Sequence, residues 1–301
     1  MKKLKIIMID AFKPEYLKYA PYLSSLTKKY QWGGLEMPPG HGGGMEIFFK
    51  GKTDALASFY KKENSSLSWI RFFLWIEIFR DFGRIIIDCM INFPRLIQGK
   101  ELHKTGKIPL KQLYKMEMID SKKFYKNLPI KYKYFSKLDK VGHKYGTESQ
   151  EIIKEIKKID KKISKMDFDI ILSDHGMANI KKVVSVPETE DCIIDSDMVR
   201  YWGDEKELEE IREKLPLKDW KILNWSNKKF GDLIFLAETG VLISPNYWYG
   251  NKKIKAMHGY DGKDKEMKAL YIIKKDGKKN NLKIEELHKI FEEMLKEKYK
   301  I

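Results

Sequence analysis

Ile170-Ile171-Leu172-Ser173-Asp174-His175-Gly176-Met177 is the stretch from which the fold can be read. Three bulky aliphatic residues in a row, with no polar alternation, predict a short strand buried on both faces, as in a parallel sheet. The run ends in an acid and an imidazole followed by glycine. In open α/β sheets, ligands bind beyond the carboxyl ends of the strands, which is where this pair falls. The chain opens in the same way. Residues 4–10 are short and apolar and end at Asp10. Outward from these two strands, 14–30 reads as mainly helical with a break at Pro21. Stretches 32–37, 130–138 and 269–273 read as further strands. Residues 45–50 open a helix. In 148–166, Ile152, Ile156, Ile159, Ile163 and Met166 share one helical side, and in 282–295 Ile284, Leu287, Phe291 and Leu295 do the same. A helix over 205–215 precedes short strands at 220–223, 233–236 and 241–243. Strands alternating with helices predict an α/β fold with a mainly parallel central sheet and helices on both faces. No repeat or low-complexity linker interrupts it, so 1–301 reads as a single domain.

One region departs from this rhythm. Residues 69–93 read WIRFFLWIEIFRDFGRIIIDCMINF. The longest uncharged run in their first half is 72–76, whereas a membrane-spanning helix needs about 20 mostly apolar residues, so no transmembrane segment is expected. Glu77, Arg80, Asp81, Arg84 and Asp88 recur at helical spacing as one polar stripe on an otherwise aromatic and aliphatic surface. This predicts one or two amphipathic helices within an insertion spanning 60–118. The insertion has three readings: a buried subdomain, a lid over a site, or a peripheral membrane contact.

The composition is globular, and the formal net charge is +16 over 301 residues. Only six of the 59 basic residues are Arg. Nucleic-acid surfaces lean on Arg for bidentate contacts, so a diffuse Lys charge makes nucleic acid an unlikely partner and suits an anionic, phosphate-containing small molecule instead. Cys89 and Cys192 stand alone, which points to a reduced, cytoplasmic setting, and the apolar run 6–9 is too short for a signal sequence.

Four short motifs carry chemistry. They are Asp10 at its strand end, Asp139 and His143 in L-D-K-V-G-H, Asp174 and His175 in S-D-H-G-M, and His258 in M-H-G-Y-D-G. Asp139 and His143 are four apart, so one helical turn puts them on one face. Three Asp and three His suit two divalent cations. A mixed carboxylate and imidazole set favours Zn²⁺, with Mn²⁺ next, over Ca²⁺. The loop 38–44, P-P-G-H-G-G-G, has a glycine density that implies special backbone angles or close approach to a ligand.

The order and spacing of these motifs resemble the alkaline phosphatase superfamily, in particular its type I phosphodiesterase/nucleotide pyrophosphatase branch. The matching residues are Asp10, then Asp139-Lys140-Val141-Gly142-His143, then Ser173-Asp174-His175-Gly176-Met177, then His258-Gly259-Tyr260-Asp261. Residues 195–202 and 240–245 are also similar to prokaryotic members of the branch. The resemblance implies an alkaline phosphatase-like fold, one metal held by Asp139, His143 and His258, and another held by Asp10, Asp174 and His175. It implies a metal-dependent hydrolase or transferase acting on a phosphodiester or pyrophosphate. The branch uses a Ser or Thr nucleophile at the start of a helix that closes in T-G. Here Lys50-Gly51 stands in place of T-G, and the aligned position is His41. No Ser or Thr occurs from 28 to 52.

Three readings follow. His41 is the nucleophile, since imidazole can form a covalent phosphoryl intermediate; or a metal-activated water attacks directly; or turnover is lost and the chain is a metal- and anion-binding homologue. Backbone N–H groups at Gly42 and Gly43, with the Lys50 ammonium, would cradle the phosphate. A further alternative is a membrane-peripheral enzyme acting on a lipid-linked phosphate through the aromatic segment.

Overall fold

The computed structural model describes residues 3–41, 43–53, 55–98, 102, 105–119, 121–215, 220–250 and 252–299. Its centre is a six-stranded sheet in the order Leu282–Lys283, Tyr30–Glu36, Ala269–Asp276, Ile170–Leu172, Leu4–Ile9, Ile130–Phe135. Leu4–Ile9 runs parallel to both neighbours, with Ile6 opposite Ile170 and Tyr132. Ala269–Asp276 is antiparallel to the strand on either side, and Leu282–Lys283 is parallel to Tyr30–Glu36. The sheet is therefore mainly parallel with one reversed strand.

The two faces of the sheet follow from the period of two along each strand. Leu4, Ile6, Met8, Ile170 and Leu172 look into one core, with the helices Gly43–Lys50 and Ile284–Tyr299 packed over it. Ile7, Ile9 and Ile171 look into the other, with the helix Gln150–Ile163 supplying Ile152, Ile156, Ile159 and Ile163. That helix starts at Ser149, whose side chain accepts from the Ile152 N–H, as an N-cap should. Pro21 does break the early helical stretch, into a 3₁₀ turn Pro14–Tyr19 and a short helix Pro21–Leu26. The fold expected from the sequence is the fold observed.

The short strands of the second half differ in one respect. Cys192–Ile194, Met198–Tyr201, Leu233–Ala237 and Trp220–Ile222 form a separate antiparallel sheet rather than joining the central one. The insertion packs on this second sheet. Ile70, Ile76, Ile87 and Ile91 share a core with Cys192, Val199, Tyr201 and Phe235. Its two ends are drawn together by the antiparallel pair Phe59–Lys61 and Met116–Met118. Between them lie a kinked 3₁₀ stretch, Ser68–Phe79, and the helix Arg80–Ile97. No helix among the described residues is long and apolar enough to cross a membrane.

Candidate active site

Three neighbouring parallel strands deliver most of the site from their carboxyl ends. Asp10 follows Leu4–Ile9 and is almost fully buried. Ala11, directly after it, has φ +58°, a left-handed conformation that costs a non-glycine residue roughly 1–2 kcal/mol. The turn brings the Ala11 N–H to Asp174 Oδ1 at 3.3 Å and the Phe12 N–H to Ser173 Oγ at 2.8 Å, so two adjacent strand ends are tied together. Asp174 and His175 follow Ile170–Leu172. After Ile130–Phe135 the chain turns into the helix Lys137–Tyr145, which carries Asp139 and His143 on one face, as their spacing predicted. Within this turn Gly142 packs against Met177: a Cβ at position 142 would lie 2.3 Å from Met177 Sδ. The glycine of one motif thus admits the methionine of another.

The six residues converge. His143 Nε2 and His258 Nε2 lie 3.1 and 3.4 Å from the same atom, Asp139 Oδ1. His175 Nε2 lies 3.4 Å from Asp10 Oδ1 and 3.8 Å from Asp174 Oδ1. The rings of His175 and His258 stack at 3.6 Å with 6° between their planes, joining the two groups. Potential ligand atoms of Asp10, Asp174 and His175 all lie within 4.8 Å of one another, and so do those of Asp139, His175 and His258. His143 Nδ1 donates to Ala256 O at 2.8 Å and His175 Nδ1 to Gly176 O at 2.9 Å. A neutral imidazole so bonded has its lone pair on Nε2, the atom aimed into the cluster.

The electrostatics have the same source. Burial works against the ionised form of Asp139, yet the His143 and His258 imidazoles against it hold its carboxyl far below the usual carboxylate range. Burial, then the charges of Asp174 and Asp139, push Asp10 well up, against a hydrogen bond donated by the Tyr134 hydroxyl. Burial and the neighbouring His175 push His258 well down. Asp139 Oδ1 and His258 Nδ1 are buried without a hydrogen-bond partner. Buried carboxylate oxygens facing imidazole lone pairs repel unless a proton or a cation sits between them. The donor sets, two acids and one imidazole in one group and one acid and two imidazoles in the other, each fit a divalent cation.

His41 lies beside this cluster, just before the helix Gly43–Lys50. Its Nε2 is 2.7 Å from Asp197 Oδ1, and its ring meets that of His258 edge-on at 5.0 Å. Burial disfavours the imidazolium, but the charge and hydrogen bond of Asp197, with Asp195 and Asp139 behind it, outweigh this and raise His41 to about 9. Asp197 is fully buried, and its other oxygen, Oδ2, has no partner. Gly259 makes room for the pair. With φ +95°, its Cβ would fall 2.3 Å from Asp197 Oδ2 and 2.8 Å from His41 Nε2.

Two cavities meet at His41 and His258. One, of about 330 Å³, is lined by His41, Asp174, His175 and His258 together with Phe49, Tyr125, Tyr132 and Tyr134. The other, of about 260 Å³, is lined by Asp139, His143, Ser196, Arg200, Trp248 and Tyr249. No residue of 60–118 lines either cavity.

The expected phosphate cradle needs correcting. Lys50 turns its ammonium to Glu46, one helical turn back, at 3.0 Å, and does not line the site. Gly43 is buried against Pro38, Thr53 and Ala55, and it is Gly40 and Gly44 that border the cavity. Gly42 lies outside the described residues. Thr53, the nearest downstream hydroxyl, is committed to Glu46 at 2.6 Å and to the Ala55 N–H at 2.8 Å. Asp197 and Tyr134 were not singled out from the sequence. The signal for Asp197 was there in Asp195-Ser196-Asp197, two acids in an otherwise apolar segment. Asp195 holds the buried Arg200 at 3.2 Å, and Arg200 in turn donates to Phe59 O.

Residues 117–261 match the family model described as type I phosphodiesterase / nucleotide pyrophosphatase. No curated protein matches the chain in sequence. Among solved structures, murine ectonucleotide pyrophosphatase / phosphodiesterase 5 is similar in fold, both alone and as an inactive variant in complex with AMP. Each superimposes with a TM-score of 0.64 at 13% identity, covering 98% of this chain and 95% of the other. The human protein gives the same TM-score at 14% identity.

Proposed function

From a chain whose residues 117–261 match the model of the type I phosphodiesterase / nucleotide pyrophosphatase family, we propose a metal-dependent enzyme that cleaves a phosphodiester or pyrophosphate bond in a small anionic molecule. The observation that carries this reading is the convergence of three acids and three imidazoles at the carboxyl ends of adjacent strands, with His41 fixed at their border. Asp10, Asp174 and His175 would hold one cation. Asp139, His143 and His258 would hold the other, with His175 close enough to share. Zn²⁺ suits the donors best, with Mn²⁺ second. Bound there, the metals would neutralise charge on the phosphoryl oxygens and on the leaving oxygen. A nucleotide is the first substrate to test, since the structurally similar murine protein was solved with AMP. Cys89 and Cys192 are both free, in keeping with a reduced compartment.

His41 takes the place of the hydroxyl nucleophile. Donation from Nε2–H to Asp197 leaves Nδ1 as the nitrogen that carries the lone pair once the ring, raised to about 9 in the metal-free protein, gives up its second proton to solvent. Its lone pair attacks phosphorus, and the bond to the leaving oxygen breaks with its electron pair. Water then attacks the phosphorus, the P–N bond breaks back to Nδ1, and the proton of water leaves to solvent. Asp197 orients the ring throughout and stabilises its charged forms. A second reading, binding without turnover, is favoured by one observation: Thr53, the first hydroxyl after His41 in the sequence, is held by Glu46 and lines neither cavity.

The test is turnover of a chromogenic phosphodiester and of a dinucleotide by the Zn²⁺- and Mn²⁺-loaded protein, alongside His41→Ala, with metal content measured for both. The expected result is two cations per chain in each protein and a loss of roughly 10³-fold or more in His41→Ala. An acid-labile phosphoenzyme should form in wild type alone. Wild type that binds metal but turns nothing over supports the binding reading. Equal rates in the two proteins remove His41 from the chemistry.

A further inference from the structure

The polar stripe of the insertion is turned only in part toward the protein, with Glu77 and Asp81 exposed and Arg84 and Asp88 half-buried. Arg84 donates to Thr105 Oγ1 and to the carbonyls of Thr105 and Ile108, Asp88 accepts from the Thr105 hydroxyl, and Glu77 accepts from the Leu110 N–H. With Arg84, Asp88 and Glu77 bonded to the chain, the segment leaves much of its apolar side exposed. Phe72, Trp75, Ile78, Phe82, Phe93 and Ile97 are exposed at 66, 59, 80, 65, 66 and 72%. They recur along both Ser68–Phe79 and Arg80–Ile97, so the surface they form is continuous with the chain rather than scattered. In water this arrangement is unfavourable by about 1.5–3 kcal/mol for each large side chain left uncovered. A contiguous exposed apolar surface of this kind marks an interface.

We propose that this face docks on the surface of a bilayer containing anionic phospholipid, with the two segments lying in the plane of the headgroups. Three observations select that occupant. No helix among the described residues is long and apolar enough to span a bilayer, while a long amphipathic segment with an exposed apolar side is suited to lie on one. Residues 60–118 carry eleven Lys and Arg against six Asp and Glu, and Arg84, Asp88 and Glu77 among them are bonded to the chain. The exposed Arg71 sits over the Phe72 ring at 4.8 Å, at the border between apolar face and charge. A second copy of the chain is the competing occupant, but each copy carries +16 and repels the other, whereas an anionic surface attracts it. This inference is independent of the metal site and its chemistry.

The test is flotation of the full chain with vesicles of phosphatidylcholine alone and with roughly one-third phosphatidylglycerol. Wild type should float with the anionic vesicles and release at high salt. The double variant Phe82→Ser/Phe93→Ser should lose at least tenfold in the bound fraction. Quenching of wild-type tryptophan by brominated lipid, absent in Trp75→Phe, reads insertion of the face without relying on a variant that must fold with two polar replacements. Wild type that stays with the unbound protein overturns the proposal. So does binding that the double variant leaves unchanged, which would be charge attraction alone. A wild-type dimer in sedimentation that the same variant dissolves, with no vesicle binding, assigns the face to a second copy instead.

Discussion

The metal-type cluster and the insertion break the usual rule of burial in opposite directions. One puts three acids and three imidazoles inside; the other puts a row of Phe, Trp and Ile outside. In both, the neighbouring chemistry is orderly. His143 and His175 are steered by backbone carbonyls, and Arg84 and Asp88 of the insertion are bonded to backbone and to Thr105. Loose packing does not produce two such arrangements. Each is unfavourable for the isolated chain and, on the readings proposed above, would become favourable with something added: cations in one case, a lipid surface in the other. The contrast shows that a polar stripe read from sequence fixes that a helix has two sides, and not which of them water sees.

The contrast can be tested by changing polarity on each side. The largest effect should come from Asp139→Ala, which removes the atom on which His143 and His258 converge. Hydrolysis should fall by roughly 10³-fold and one cation per chain should be lost, as read by metal analysis beside a kinetic assay. Full metal retention would separate Asp139 from the site.

A smaller effect concerns His41. Its folded pKa of about 9 lies above the ordinary 6.5, so the pair with Asp197 stabilises the metal-free fold fully below about pH 6.5 and ceases to do so as the pH rises through 9. The difference corresponds to about 3 kcal/mol, or a fall of roughly 5–10 °C in the thermal midpoint between pH 6 and 10. Asp10, also raised, contributes with the same sign, so the comparison to make is with Asp197→Asn, in which the fall should be shallower. An identical slope in both proteins would dissolve the pair.

The smallest effect is on the insertion. Ile78→Ser should change stability by no more than about 0.5 kcal/mol in denaturant unfolding. The same replacement at buried Ile87, on the opposite side of the segment, should cost several kcal/mol. Equal costs would mean that the exposed face is covered by the chain itself.

The sheet was legible because its strands are continuous apolar runs, and the ligands were legible because acids and imidazoles stand directly after those runs. Asp10, Asp174 and His175 needed no knowledge of packing, and Asp139 with His143 needed only the helical repeat. What escaped depended on contacts distant in sequence. Asp197 meets His41 across 156 positions, and nothing local in either segment announces the other. Lys50 looked free to reach a phosphate, but on a helix whose buried face is Ile47, Phe48 and Phe49 its nearest partner is Glu46, on the exposed side. The strands of 192–237 were read correctly one by one. That they form their own antiparallel sheet is decided by pairing, which short apolar runs do not encode.

The position of Ala269–Asp276 bears on how the molecule is made. This strand lies between Tyr30–Glu36 and Ile170–Leu172, so the two halves of the central sheet have no contact through hydrogen bonds until it arrives. On a ribosome, nearly nine-tenths of the chain must emerge first, and His258 emerges just ahead of it. Closing the sheet is a late, long-range event, slow by its topology. The cluster is therefore completed late: the strands Leu4–Ile9, Ile130–Phe135 and Ile170–Leu172 pair with one another and present five of its residues, and His258 joins them with the segment that closes the sheet.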